Sequence, residues 1–168
     1  MEITEDTYKQ ILDLFSFTGA RFVSVVRPLS ESQVNLPTAP GGWTIRQVVH
    51  HVTDDTDVWS MNIKKAIATP GAVARFEGYP GNDAWAEALN FADREVQSAL
   101  DLIEAHHCYV VSLLKHFPNT WEHTVVIVNA EGSRTGQMTV REIIQMLVDH
   151  SLEHLDAIES ALARQKRY

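Results

Sequence analysis

The 168 residues contain one cysteine, Cys108. No intrachain disulfide can form, so the chain is expected in a reducing, cytoplasmic setting. No run of 18 or more apolar residues occurs, so no membrane-spanning helix is expected. Basic residues are scarce: Lys and Arg number 14 against 22 Asp and Glu, for a net charge of −8. A surface this acidic argues against nucleic acid and anionic membranes as partners, since both call for a cationic face. No glycine-rich phosphate loop and no serine nucleophile elbow is present. The opening segment, MEITEDTYKQ, is acidic and polar and is not expected to act as a secretion signal.

Hydrophobic residues make up 45% and charged residues 21%, which excludes disordered and fibrous classes. The length suits one domain over residues 1–168, burying roughly 70% of its unfolded surface. Against this ordinary background the chain has 8 histidines.

Four long segments carry helical periodicity. The first spans about Glu5 to Arg27, with Thr4 as a cap and Ile11, Leu12, Phe15, Phe22 and Val26 on its apolar face. Pro28 ends it. A loop with one turn at Ser30 to Val34 leads to Thr44, which with Gln47 has capping-box spacing. The second helix then runs to about Ala68, and Thr69 to Gly81 reads as loop. Asn82 is expected to cap a third helical segment that reaches Phe117 and breaks near Asn90. The alternation from Trp121 to Val128 and the return at Arg134 to Met138 predict a small hairpin. Thr139 and Glu142 open a fourth helix to about Gln165, with Lys166 and Arg167 near its end. The expected fold is all-α, a four-helix bundle with a small β-hairpin between helices 3 and 4.

A wheel at about 100° per residue sorts the histidines. On the fourth helix His150 and His154 fall within about 40° of each other, among Ile143, Leu147, Ile158 and Ala161, while Asp149, Glu153 and Asp156 lie on the opposite arc. At i and i+4 two imidazoles can converge on one ion. On the second helix His51 falls at the edge of the buried face close to Asp55, and His50 falls beside Arg46, Asp54 and Asp57. His51 is therefore expected inward and His50 solvated. Two inward histidines on one helix and one on another suit a tri-histidine site with an open coordination position, the arrangement of catalytic rather than structural zinc. Burial favours the neutral imidazoles such a site needs.

His150 to His154 also spells H-x-x-E-H, a protease pattern. That reading is set aside, because only 14 residues follow His154 and Glu153 belongs to the charged stripe. Asp55 is the candidate catalytic residue: it could orient an imidazole, accept a proton as a base, or ligate the ion. Trp43 is expected to staple the start of the second helix. His106, His107, His116 and His123 are expected at the surface or in the hairpin, and Cys108 in the core as a small hydrophobe.

The run Gly42-Trp43-Thr44-Ile45-Arg46-Gln47-Val48-Val49-His50-His51-Val52, followed about 100 residues later by His150-x-x-x-His154-Leu155-x-x-Ile158, resembles the DinB-like superfamily. The resemblance covers nearly the whole chain and points to the YfiT-type branch of metal-dependent hydrolases. It implies a four-helix bundle that binds one divalent metal ion through His51, His150 and His154, with zinc or nickel expected. It implies a metal-dependent hydrolase acting on a small molecule. An alternative is a thiol transferase that activates a low-molecular-weight thiol such as bacillithiol or mycothiol, and a third is a metal-binding stress protein without turnover. A homodimer is expected only because twofold assemblies are the commonest.

Overall fold

A computed structural model describes residues 5–165. The helices are α1 (Glu5–Val26), α2 (Glu31–Val34), α3 (Ile45–Ala68), α4 (Asn82–Ala88), α5 (Gln97–His116) and α6 (Val140–Gln165). The strands are β1 (Ala72–Arg75), β2 (Thr124–Val128) and β3 (Arg134–Thr139). Thr4, Lys166 and Arg167 lie outside the described residues.

Side-chain caps set three of the helix starts. Ser30 with Gln33 and Thr44 with Gln47 form complete capping boxes. At α6 the Thr139 N–H donates to Glu142 Oε2 (2.8 Å) and the Glu142 N–H donates back to Thr139 Oγ1 (3.1 Å). Asn82 does not cap α4. That position belongs to Gly81, whose φ of 92° suits only glycine, and Asn82 instead accepts a hydrogen bond from the Tyr79 hydroxyl.

The four long helices form the bundle. α1 packs on α5 and α6, and so does α3, which leaves α1 diagonal to α3. Residue pairs fix the directions. Arg21 meets Glu159 (2.7 Å) late in both α1 and α6, so these two run parallel. Thr53 Oγ1 reaches the Ala99 carbonyl (3.4 Å) and Lys64 lies over Tyr109 (5.6 Å), so α3 and α5 also run parallel. Two apolar clusters fill the interior. One gathers Phe15, Ile63, Val110, Ile143 and Leu147, and the other Phe22, Val48, Val52, Ile103 and Ile158.

The hairpin β2–β3 is present, but it belongs to a three-stranded sheet. Its third member, β1, lies in the segment read as loop, and pairs parallel with β2 from Ala72↔Val125 to Arg75↔Val128. Parallel strands require a long crossover, supplied here by α4 and α5. Four residues, Ala-Val-Ala-Arg, are too few to display an alternation, and the strand exists because its distant partner does.

The third helical segment breaks where expected and more widely. α4 ends at Ala88, Asn90 turns left-handed at φ 52°, and α5 begins at Gln97. This 89–96 connection overturns the reading of His50, which is 2% exposed. Phe91 packs against its ring and the Arg94 carbonyl lies 3.4 Å from its Nε2. Arg46, from the same arc, is also buried, and it donates to that carbonyl at 2.7 Å. The start of the polar arc of α3 therefore lies under a covering segment, while Asp57, two turns after His50, is exposed.

Two further assignments change on α5. His107, expected at the surface, is 4% exposed and stacks on Phe15. Cys108, expected in the core, is exposed, because the buried stripe runs through Leu100, Ile103, His107 and Val110 and leaves its neighbour about 100° away. His116 is exposed, while His106 and His123 are half-buried. Among the described residues no helix is long and apolar enough to cross a membrane.

Candidate metal centre

α3 and α6 pack antiparallel, bringing the first half of one against the middle of the other. That contact sets His51 opposite His150 and His154. His51 Nε2 lies 3.1 Å from His150 Nε2, and His154 Nε2 lies 2.9 Å from the same atom. The three rings stand edge to face, with centroids 4.5 to 5.3 Å apart. One nitrogen from each lies within 4.8 Å of the others. His51 is buried; His150 and His154 are half-buried.

Asp55 sits one turn after His51. Its Oδ2 is 3.2 Å from His150 Nδ1 and 3.7 Å from His51 Nε2. A hydrogen on His150 Nδ1 donated to this carboxylate leaves Nε2 as a bare lone pair aimed at the other two rings. Burial is the largest influence on His51 and lowers its pKa, with Asp55 opposing and His150 adding to the drop. His154 is pushed down to about 3, first by burial and then by the charges His150 and His51 would carry. Burial raises Asp55, while both histidines pull it back.

These rings fit a shared ion. Nitrogens at 2.0–2.1 Å from one centre and near right angles to each other stand roughly 3 Å apart, the separation seen from His150 to each of the other two. Without an ion, the Nε2 of His150 is the shared acceptor for Nε2–H groups of the other two rings; with all three Nε2 atoms bare, a divalent cation accepts all three lone pairs.

Trp43 does more than staple a helix. Its ring meets His51 edge-on (5.1 Å), and its indole N–H donates to Asp83 Oδ1 (3.0 Å). Trp85 in turn donates to Asp54 Oδ2 (2.8 Å), so two indoles tie α4 to the wall of the site. The result is a pocket of about 490 Å³ that reaches His51 and Asp55 and is walled by Asp54, Phe76, Tyr79 and Trp85. The three aromatics were not singled out from the sequence. Their signal was faint: aromatic residues in and just after a Gly/Pro-rich loop that separates two helices. Glu153 is exposed and, with Glu142 and Asp149, lines an open groove on the far side of His150.

The model of the DinB superfamily matches residues 14–158. A protein of Oceanobacillus iheyensis named "putative metal-dependent hydrolase" is 29% identical over 142 residues, covering 84% of this chain and 77% of the relative. A Bacillus cereus protein of the same description is 33% identical over 112 residues, covering 67% and 62%. The solved structure of YfiT from Bacillus subtilis, described as "a probable metal-dependent hydrolase with an unusual four-helix bundle topology", superposes with a TM-score of 0.85. It is 20% identical and covers 98% of this chain and 91% of that one.

Proposed function

The chain belongs to the DinB superfamily, and we propose that it is a metal-dependent hydrolase of a small molecule. His51, His150 and His154 hold one divalent ion, zinc or nickel, through their Nε2 atoms. The observation that carries this reading is the convergence of those nitrogens at 2.9 and 3.1 Å with a carboxylate behind one of them. When bound, such an ion supplies Lewis acidity and brings the ionisation of water toward neutral pH.

The chain's own residues do the rest. Asp55 holds His150 in the tautomer that presents Nε2, which makes it a positioning residue. Being raised by burial, it is also suited to take a proton from water at the site as a general base. Trp43 and the α4 cover restrict solvent on the His51 side. Three protein donors leave coordination positions for water and substrate.

Thiol transfer would use the same three nitrogens. Water activation is favoured because a proton-accepting carboxylate stands beside them, a group that an already ionised thiolate does not need. The test is elemental analysis of the purified protein, followed by ester and amide substrates with metal-stripped and reloaded protein in ¹⁸O water. One ion per chain, activity restored by reloading, and ¹⁸O in the product are expected. Consumption of an added thiol with no ¹⁸O incorporation would replace this reading by the transferase one.

A further inference from the structure

The pocket beside the triad has an unusual charge balance. Three carboxylates line it, those of Asp54, Asp55 and Asp57, and they come from a single turn of α3. The only guanidinium in the lining, that of Arg94, lies over the Phe91 ring and pairs with none of these carboxylates among the described residues. Asp57 stands at the mouth, with His106 Nε2 at 3.1 Å. On the other flank of His150, Glu142, Asp149 and Glu153 line a groove with Arg141, which pairs with Glu122 and Glu142.

Aromatic rings form one wall, completed by Val58, Asn82 and Leu89. Tyr79 and Trp85 meet at 53° with centroids 5.6 Å apart, making a corner, and the Trp85 indole is anchored on Asp54 at 2.8 Å. Phe76 continues this wall and is braced from behind by Trp59. Ring faces attract cations through their quadrupoles, and an adjacent carboxylate adds Coulomb attraction that a half-enclosed pocket screens less than bulk water does. A neutral substrate would draw on the rings, the aliphatic side chains and Asn82, without the Coulomb attraction. An anionic one would meet three carboxylates.

We propose that the substrate of this centre carries an ammonium group, seated between the Asp54 carboxylate and the corner made by Tyr79 and Trp85. The inference rests on the reading of the triad as a catalytic centre, because the same pocket reaches His51 and Asp55. The chain's acidic surface steers such a cation toward the mouth.

The experiment is isothermal titration calorimetry with benzyltrimethylammonium, whose nitrogen has no lone pair to give a metal, against uncharged 2-phenylethanol. The cation is expected to bind about tenfold tighter, the size of one cation–π contact plus one screened charge attraction. The advantage shrinks as salt is raised. Asp54→Asn keeps an acceptor for the Trp85 indole, so its fold is preserved, and it is expected to lose about fivefold for the cation and nothing for the alcohol. Equal affinities for the two probes, or an Asp54→Asn variant that binds the cation as the parent does, would overturn the proposal. The same titration on metal-stripped protein separates the two readings. Cation binding with no stoichiometric metal in the native protein sinks the catalytic triad and leaves the ammonium site, while one ion per chain with no preference for the cation does the reverse.

Discussion

Gly19 of α1 and the imidazole of His107 on α5 occupy a single space. A Cβ on Gly19 would stand 2.4 Å from the ring carbons. The ring stacks on Phe15 one turn away, with centroids 4.2 Å apart, and its Nδ1 lies 2.8 Å from the Ile103 carbonyl, to which it donates. Glycine inside a helix costs about 1 kcal/mol of propensity relative to alanine, and here the close approach of two helices requires it.

Gly19→Ala therefore sets a propensity gain against a clash with a buried ring. Overpacking of this kind costs roughly 1–3 kcal/mol, so a net loss of about 1 kcal/mol is expected in urea unfolding. The double variant Gly19→Ala, His107→Ala should show less than the sum of the single losses. An alanine variant more stable than the parent would mean the helices do not approach this closely.

His107 also predicts an acid limb. Burial pushes its pKa down to about 4, against an ordinary 6.5 when unfolded. Between those values the unfolded chain binds the proton that the folded one refuses, so stability is complete above pH 6.5 and falls as pH drops toward 4. The slope is about 1.4 kcal/mol per pH unit for this group. In urea titrations of metal-stripped protein at pH 7, 6, 5 and 4.5, His107→Gln should flatten that limb, although His50, His51 and His154, also lowered by burial, keep part of it.

His154→Ala is expected to abolish stoichiometric metal binding. His50→Ala should retain it within about threefold while losing about 2 kcal/mol of stability, because His50 is packed on Phe91 away from the triad. Elemental analysis beside a melting curve reads both effects. Equal metal loss in the two variants would show that the adjacent histidines have been assigned the wrong way round.

Protons compete with the ion for imidazole nitrogen, so metal is released on acidification. Since His51 and His154 are both lowered from 6.5, release is expected to centre below that value. Dialysis at stepped pH with metal analysis checks it. Full occupancy at pH 3 would exclude histidine donors.

Asp55→Ala removes the acceptor that orients His150 and should weaken metal affinity about tenfold. Asp55→Asn can still accept from His150 Nδ1, so it should restore most of that affinity while lowering kcat. A competition titration with a chromogenic chelator measures the first effect and turnover the second. Equal affinity in the alanine variant would show that His150 needs no orienting partner.

Much of this centre was legible because helical spacing converts directly into faces. His51, His150 and His154 separated from their polar neighbours on a wheel, and Thr44–Gln47 and Thr139–Glu142 announced helix starts through local chemistry. What escaped depended on contacts between distant segments. His50 looked solvated because nothing near it in the chain reveals that residues 89–96 fold over α3. His107 looked ordinary because its burial depends on an absent side chain at Gly19. β1 needed a partner strand beyond two intervening helices.

The separation of 99 positions between His51 and His150 has a temporal consequence. During synthesis, α3 leaves the ribosome long before α6 exists, so an emerging chain offers an ion one histidine of the triad. Under the proposed function, capture would wait until the last helix closes on its antiparallel neighbour, and loading would be a late checkpoint that only a finished fold can pass.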